Sequence, residues 1–197
     1  MKLLHAGCGP IGTPVPPQWR DYEQIRYDVD ATVAPDLVGT LTQIDLPDGA
    51  VDALYASHVL EHLDPWDVDT ALAELYRVLK VGGAGLLIVP DLTAWARLIL
   101  SDPAGVEDLK NIPLSGPISV LDALYGYGPD VQAGRDGMRH RTMFTPFTFA
   151  RHLDRAGFVG HVYADQMQIY ALIKKQELTD GQDHEDAAGG GTGTGAG

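Results

Sequence analysis

Three groups of residues in this 197-residue sequence have types and spacings that could do chemistry. His58, Glu61 and His62 stand at the H-x-x-E-H spacing of an inverted zinc-peptidase motif. Gly7, Gly9 and Gly12 stand at G-x-G-x-x-G spacing with Asp28 about 20 residues further on, the pattern that cradles a dinucleotide. Arg135, Arg139, His140 and Arg141 gather in the stretch GRDGMRHR, opposed only by Asp136. Guanidinium forks suit carboxylates and phosphates, and an imidazole can take a proton.

Each pattern needs a particular element beneath it. A zinc site of the H-x-x-E-H kind needs both histidines on one helix face and a distant acidic ligand. Asp64-Pro65 is a helix start, with Asp64 as N-cap and Pro65 in the first turn, and it comes after the motif. The two histidines then share no helix face, and no metal is expected. Pyrophosphate binding needs a helix N-terminus directly after the glycines. Pro14, Pro16 and Pro17 forbid a regular helix there. The pattern therefore favours a ligand without phosphates, with a ribose for an acidic residue and a chain lying against the glycine backbone.

The surrounding elements read as an α/β chain. KLLHAG (2–7), IRYDV (25–29), DLVGTL (36–41), VDALYAS (51–57) and GLLIV (85–89) are strand-like apolar runs. Val68, Ala71, Leu72, Leu75 and Leu79 make one helical stripe that Gly82-Gly83 should stop. Residues 93–100 and 118–126 could be short helices before the Gly/Arg-rich loop. Thr145-Pro146 opens another helix that Gly157 ends, and residues 158–165 and 167–175 can close a hairpin. This alternation means a mostly parallel sheet with helical or loop crossovers and an antiparallel C-terminal hairpin at one edge. Ligands of such sheets bind beyond the carboxyl ends of the strands.

Composition limits the partners. The formal charge is −13, and residues 1–176 hold all 14 basic residues against 22 of the 27 acidic ones, a body charge of −8. Such a body repels phosphate backbones, which argues against nucleic acid. Cys8 is the one cysteine, so no intrachain disulfide can form, and a reducing, cytoplasmic setting is the expectation. No run approaches the roughly 20 apolar residues that span a bilayer. From Asp180 the chain is acidic and Gly/Thr/Ala-rich with nothing to bury, so 177–197 is expected to be a disordered tail. Residues 1–176 then form one domain.

LLHAGCGP, YDVD (27–30), IDLPDGAVDALYASHVLEHL (44–63) and ELYRVLKVGGAGLLIVPD (74–91) occur in this order. Together they resemble the class I S-adenosylmethionine-dependent methyltransferases, in particular small bacterial members. The resemblance covers residues 2–91 and extends loosely to HLDRAGF (152–158) and the closing hairpin. It implies a Rossmann-like three-layer sandwich around a seven-stranded sheet, and S-adenosyl-L-methionine as cofactor. By position, Gly7, Cys8 and Gly9 would lie against the methionine portion, Asp28 would accept from the ribose with Asp30 next, Thr40 and Leu41 would border the adenine, and Ser57 and His58 would lie beside the sulfonium. His5 stands where relatives carry an acidic residue for the cofactor's amino group; a neutral imidazole can still accept that bond. Plainer roles compete: turn glycines, a loop-capping Asp28, an inert Cys8, a packing His62, and a structural Glu74–Arg77 pair.

The motifs say little about the methyl acceptor. Residues 91–144 lack a strict period and follow a strand end, which suits a lid over a small-molecule acceptor. Arg139 and Arg141 would hold an anionic acceptor; the alternative is that they pair with surface acids. His140 is the first candidate base and His58 the second. Asp91 could orient the acceptor or cap the next helix, and Tyr125, Tyr127 and Trp95 could line the pocket. The chain opens directly on its first strand, so the lid or a second subunit of a homodimer is expected to exclude water. Two rival functions stay open: a nicotinamide-dependent oxidoreductase using Gly7–Gly12, and a cofactor-binding relative without turnover.

Overall fold

The computed structural model describes residues 1–112 and 116–177; the expected tail beyond 177 lies outside the described residues. In chain order the elements are β1 (Lys2–Ala6), β2 (Glu23–Asp28), β3 (Leu37–Val38), β4 (Val51–Ser57), α1 (Val68–Val78), β5 (Leu79–Pro90), α2 (Leu92–Ser101), β6 (Lys110–Ile112), β7 (Gly116–Ile118), α3 (Val120–Tyr125), α4 (Gly128–Gln132), α5 (Pro146–Ala156), β8 (Val159–Asp165) and β9 (Gln168–Lys174). Seven strands form one sheet in the order β3-β2-β1-β4-β5-β9-β8. The first five pair in parallel, and β9 runs antiparallel to both β5 and β8. The strand order reverses between β1 and β4, and the crevice at such a reversal is where ligands of open α/β sheets bind.

One face of the sheet carries the main core. The apolar stripe of α1 (Val68, Ala71, Leu72, Leu75, Val78), with Phe149 and Leu153 of α5, packs on Leu4, Leu54, Leu87 and Ile169. Each such side chain contributes about 1.5–3 kcal/mol by leaving water. Asp69 of α1 accepts from Arg155 and His152 of α5 and ties the two helices together. The capping box of Thr145 and Thr148, with Pro146 in the first turn and Gly157 left-handed at the end, delimits α5 where the sequence places it. On the opposite face the covering layer is a short turn rather than a helix. Trp19, from the 3-10 turn Pro17–Trp19, packs with Val15 and Tyr22 on Leu3 and Ala53, because the prolines leave no helix-forming run.

Three local expectations change. Helix α1 begins at Val68, and Asp64-Pro65 is a turn in which Asp67 N donates to Asp64 O. Thr142 Oγ1 donates to Leu63 O and Arg141 reaches Asp64, which holds this turn against a distant segment. Helix α1 ends at Val78, and the Gly82-Gly83 pair bends the first part of β5 instead of stopping the helix; Gly82 N donates to Lys175 O. Strand β3 is only Leu37–Val38, because Tyr27 Oη draws the carbonyls of Thr40 and Gln43 into a turn.

Candidate active site

The glycine bend follows β1. Gly7 and Gly9 are both left-handed, at φ 62° and 59°. Cys8 is buried between them, its amide donating to Tyr27 O, and burial raises its thiol pKa above the ordinary value. Asp28, at the tip of β2, spans the bend: one carboxylate oxygen accepts from Gly9 N at 3.0 Å and the other from Asp30 N at 3.0 Å. Arg26, which the sequence reading passed over, donates to the carbonyls of Gly9 and Ala34 and closes the bend from the other side. Asp30 caps the 31–33 turn through Thr32, and both of those bonds hold its pKa below the usual carboxylate value.

These residues fit a phosphate-free nucleoside with an amino acid chain. A β-carbon on Gly9 would meet only Thr13 Oγ1 at 3.3 Å, so the bend offers open backbone. No helix N-terminus follows to hold a diphosphate, since the next helical residues are the turn Pro17–Trp19. Both Asp28 oxygens keep lone pairs for hydroxyl donors. His5 is buried with Nδ1 unpartnered among the described residues, and burial lowers its pKa, so a neutral imidazole is present to accept from an ammonium group. Thr40 is exposed and its hydroxyl meets that of Thr42, whereas the Leu41 side chain packs into the main core. A base lying here would meet Thr40 and the Leu41 backbone, not the Leu41 side chain.

Strand β4 ends at Ser57, and His58 turns the chain in a left-handed conformation (φ 55°) that a non-glycine residue seldom adopts. Its Nδ1 lies 3.0 Å from Oε1 of the fully buried Glu61. Burial opposes the imidazolium, yet the hydrogen bond and charge of Glu61 outweigh it and raise the His58 pKa. Burial would likewise raise Glu61, but its bond to His58 and the fields of three histidines hold it low. His58 and His62 do not act as one helical pair, because only Leu60–His62 is a 3-10 turn.

Among the described residues after β5, α2 and α3 pack together beside the strand ends. Trp95 of α2 packs with Val120 and Ala123 of α3 against Met143 and Met167. Beside this cluster lies a cavity of about 160 Å³, lined by His58, His62 and His140 with Trp95, Tyr127 and Met138 among others. His140 arrives there because Arg141 N and Thr142 N both donate to Glu61 O, and its own amide donates to Tyr125 O. Its Nδ1 lies 2.8 Å from Ala123 O, and burial lowers its pKa. Ligand atoms of Glu61, His62 and His140 all fall within 4.8 Å of one another.

Other expected acceptor contacts lie elsewhere. Arg139 pairs with Asp136 at 2.7 Å, and Arg141 pairs with Asp136 and Asp64, so their charge is spent on the surface. Tyr125 is 66% exposed and outside the cavity, while its neighbour Tyr127 lines it. Asp91 accepts from Thr93 N at 2.8 Å and caps α2. Glu74 and Arg77 are structural, clamping Ile44 and Leu46 of the loop before β4. The H-x-x-E-H spacing was the one sequence signal for Glu61 and His62, and nothing in the sequence marked Gln168, which also lines the cavity.

Residues 4–87 match the methyltransferase domain family. A probable S-adenosylmethionine-dependent methyltransferase of Mycolicibacterium smegmatis is 40% identical over 53 residues, a stretch that is 27% of this chain and 20% of that protein. Three solved structures share the fold. A Pyrococcus horikoshii protein aligns at TM-score 0.60 and 15% identity, over 89% of this chain and 82% of its own. A Methanosarcina mazei S-adenosylmethionine-dependent methyltransferase aligns at 0.58 and 15%, over 89% and 92%. The Burkholderia thailandensis 1,6-didemethyltoxoflavin-N1-methyltransferase, solved with its substrate and S-adenosylhomocysteine, aligns at 0.56 and 14%, over 89% and 71%. A methyltransferase-domain match over residues 4–87 thus lies inside a seven-stranded sheet, and the chain shares its fold with these solved structures.

Proposed function

We propose that the protein transfers a methyl group from S-adenosylmethionine to a small, largely apolar acceptor held in the cavity beside α2 and α3. The observation that supports this most directly is the join between two half-sites. Val59 packs against the glycine bend and its neighbour His58 lines the cavity, so one short loop borders both. When bound, the cofactor supplies an electrophilic sulfonium methyl. The chain's part is alignment, which can be worth about 7–11 kcal/mol. Asp28, the Gly7–Gly9 backbone and His5 would hold the nucleoside and amino acid ends, and Ser57 and His58 would border the reacting end.

The acceptor class follows from the lining. Trp95 Nε1 is buried without a partner among the described residues, and it borders the cavity. An acceptor carrying an oxygen or ring nitrogen would satisfy it. The anionic acceptor suggested by the arginines loses its support, because those arginines are paired with Asp136 and Asp64. His140 would be the group to take a proton, which is supported by the Ala123 carbonyl holding Nδ1 so that Nε2 remains for the acceptor. His58 is held by Glu61. General-base help of this kind contributes about 10²–10⁴ in rate.

Calorimetry with S-adenosylhomocysteine and with a reduced nicotinamide dinucleotide tests the reading. Binding of the first alone, weakened at least tenfold in Asp28→Ala, is the expected result. Binding of the dinucleotide alone, or an unchanged affinity in Asp28→Ala, would overturn it.

A further inference from the structure

Glu61 is the most isolated charged group described in the molecule. It is fully buried, Oε1 is taken by His58, and Oε2 has no hydrogen-bond partner among the described residues. A buried polar atom left so costs about 1–3 kcal/mol, more for a charged one. Two imidazoles converge on it. His62 Nδ1 lies 3.1 Å from Arg139 O and His140 Nδ1 lies 2.8 Å from Ala123 O. A carbonyl only accepts, so both rings donate from Nδ1, and each neutral ring has the lone pair of Nε2 to offer an ion. One potential ligand atom from each of Glu61, His62 and His140 lies within 4.8 Å of the other two.

We propose that Glu61, His62 and His140 form a binding site for a divalent transition-metal ion, with its open positions toward the acceptor cavity. Two neutral imidazoles and a carboxylate are the donor set of zinc and of the neighbouring first-row ions. Tetrahedral coordination with bonds of roughly 2.0–2.1 Å places ligand atoms about 3.3 Å apart, which small rotations of two rings achieve from the present spacing. Ligating histidines characteristically donate their other ring nitrogen to a backbone carbonyl, as His62 and His140 do here. The site is also held rigidly. Arg141 N and Thr142 N bind Glu61 O, and Thr142 Oγ1 binds Leu63 O, so the two chain segments that carry the ligands cannot drift apart.

This site shares Glu61 and His62 with the H-x-x-E-H spacing but takes its third ligand from His140, because His58 acts on Glu61 and not as a ligand. It refines the methyl-transfer reading without depending on it. An ion held by Glu61, His62 and His140 would supply Lewis-acid polarisation of an acceptor oxygen, and His140 would then serve as a ligand instead of a base.

Titration of the untagged, metal-stripped chain with cobalt(II) tests the site. One equivalent should bind and give the visible d–d bands of a four- or five-coordinate ion, and zinc(II) should displace it. His62→Ala and His140→Ala should each weaken binding at least tenfold and remove the bands. Glu61→Gln should do the same, and the two histidine variants keep the test valid if that buried change prevents folding. Absence of stoichiometric binding in the wild type, or bands that persist in either histidine variant, overturns the proposal. S-adenosylhomocysteine titration of the same samples separates loss of the metal site from failure of the cofactor reading.

Discussion

Val59 fills the space that a side chain on Gly7 would need: a β-carbon there would collide with Val59 Cγ2. The glycine bend and the loop that carries His58 are thus one packed unit. Gly7→Ala adds the left-handed penalty of about 1–2 kcal/mol to an overpacking cost of about 1–3 kcal/mol. Denaturant melts should show a loss of roughly 2–5 kcal/mol, and S-adenosylhomocysteine binding should vanish. Val59→Ala in the same chain should recover the packing share and leave the backbone share. A neutral Gly7→Ala would mean that the bend is not as described.

Glu74 accepts from Ile44 N and from two nitrogens of Arg77, which in turn holds Leu46 O and Ile44 O. The Arg77 hydrogen bond is the main cause that lowers the Glu74 pKa. A carboxyl whose folded value is depressed stabilises the fold above its unfolded value of about 4.3 and loses that contribution as pH falls through the lower folded value. Wild-type stability should therefore drop on acidification below about pH 4.3, and Glu74→Gln should flatten that part of the profile. At neutral pH the variant should cost about 1.5–3 kcal/mol. Equal acid slopes in both chains would refute the assignment.

Arg139 and Arg141 bind Asp136 on the surface, at side-chain exposures of 53% and 39%. Exposed pairs contribute about 0–1 kcal/mol each. The Arg139→Gln, Arg141→Gln double variant should lose no more than about 1–2 kcal/mol and keep wild-type affinity for S-adenosylhomocysteine. An affinity drop of tenfold or more would return these arginines to the site.

What could be read from the chain in advance was local. The run 2–7 and the strand ending at Asp28 are adjacent and parallel, and their elements follow from neighbours in sequence and from pattern. The capping box at Thr145 and the left-handed Gly157 are local as well, and they stand where expected. The histidine trio was hidden because it is made by distance: His140 reaches Glu61 through backbone bonds across 80 residues that no spacing rule encodes. The arginine cluster misled for the opposite reason. Its partner Asp136 lies within the same stretch, but the fold also brings Asp64 to Arg141 and completes the neutralisation. Asp64-Pro65 has the composition of a helix start, yet the Thr142 contact to Leu63 keeps it as a turn.

His58 carries backbone strain and a buried partner at once, so its substitution sets two effects against each other. Glycine at position 58 would relieve a left-handed cost of about 1–2 kcal/mol. It would also add about 0.5–1 kcal/mol of unfolded-state entropy. Glu61 would lose its hydrogen bond, worth about 1.5–3 kcal/mol when one partner is charged. The losses exceed the gain, so His58→Gly should unfold at a lower denaturant concentration in metal-free buffer. Asn tolerates the left-handed region and offers an amide donor to Glu61, so His58→Asn should lie between the two. A His58→Gly chain more stable than wild type would show that the Glu61 contact contributes less than the strain that accompanies it.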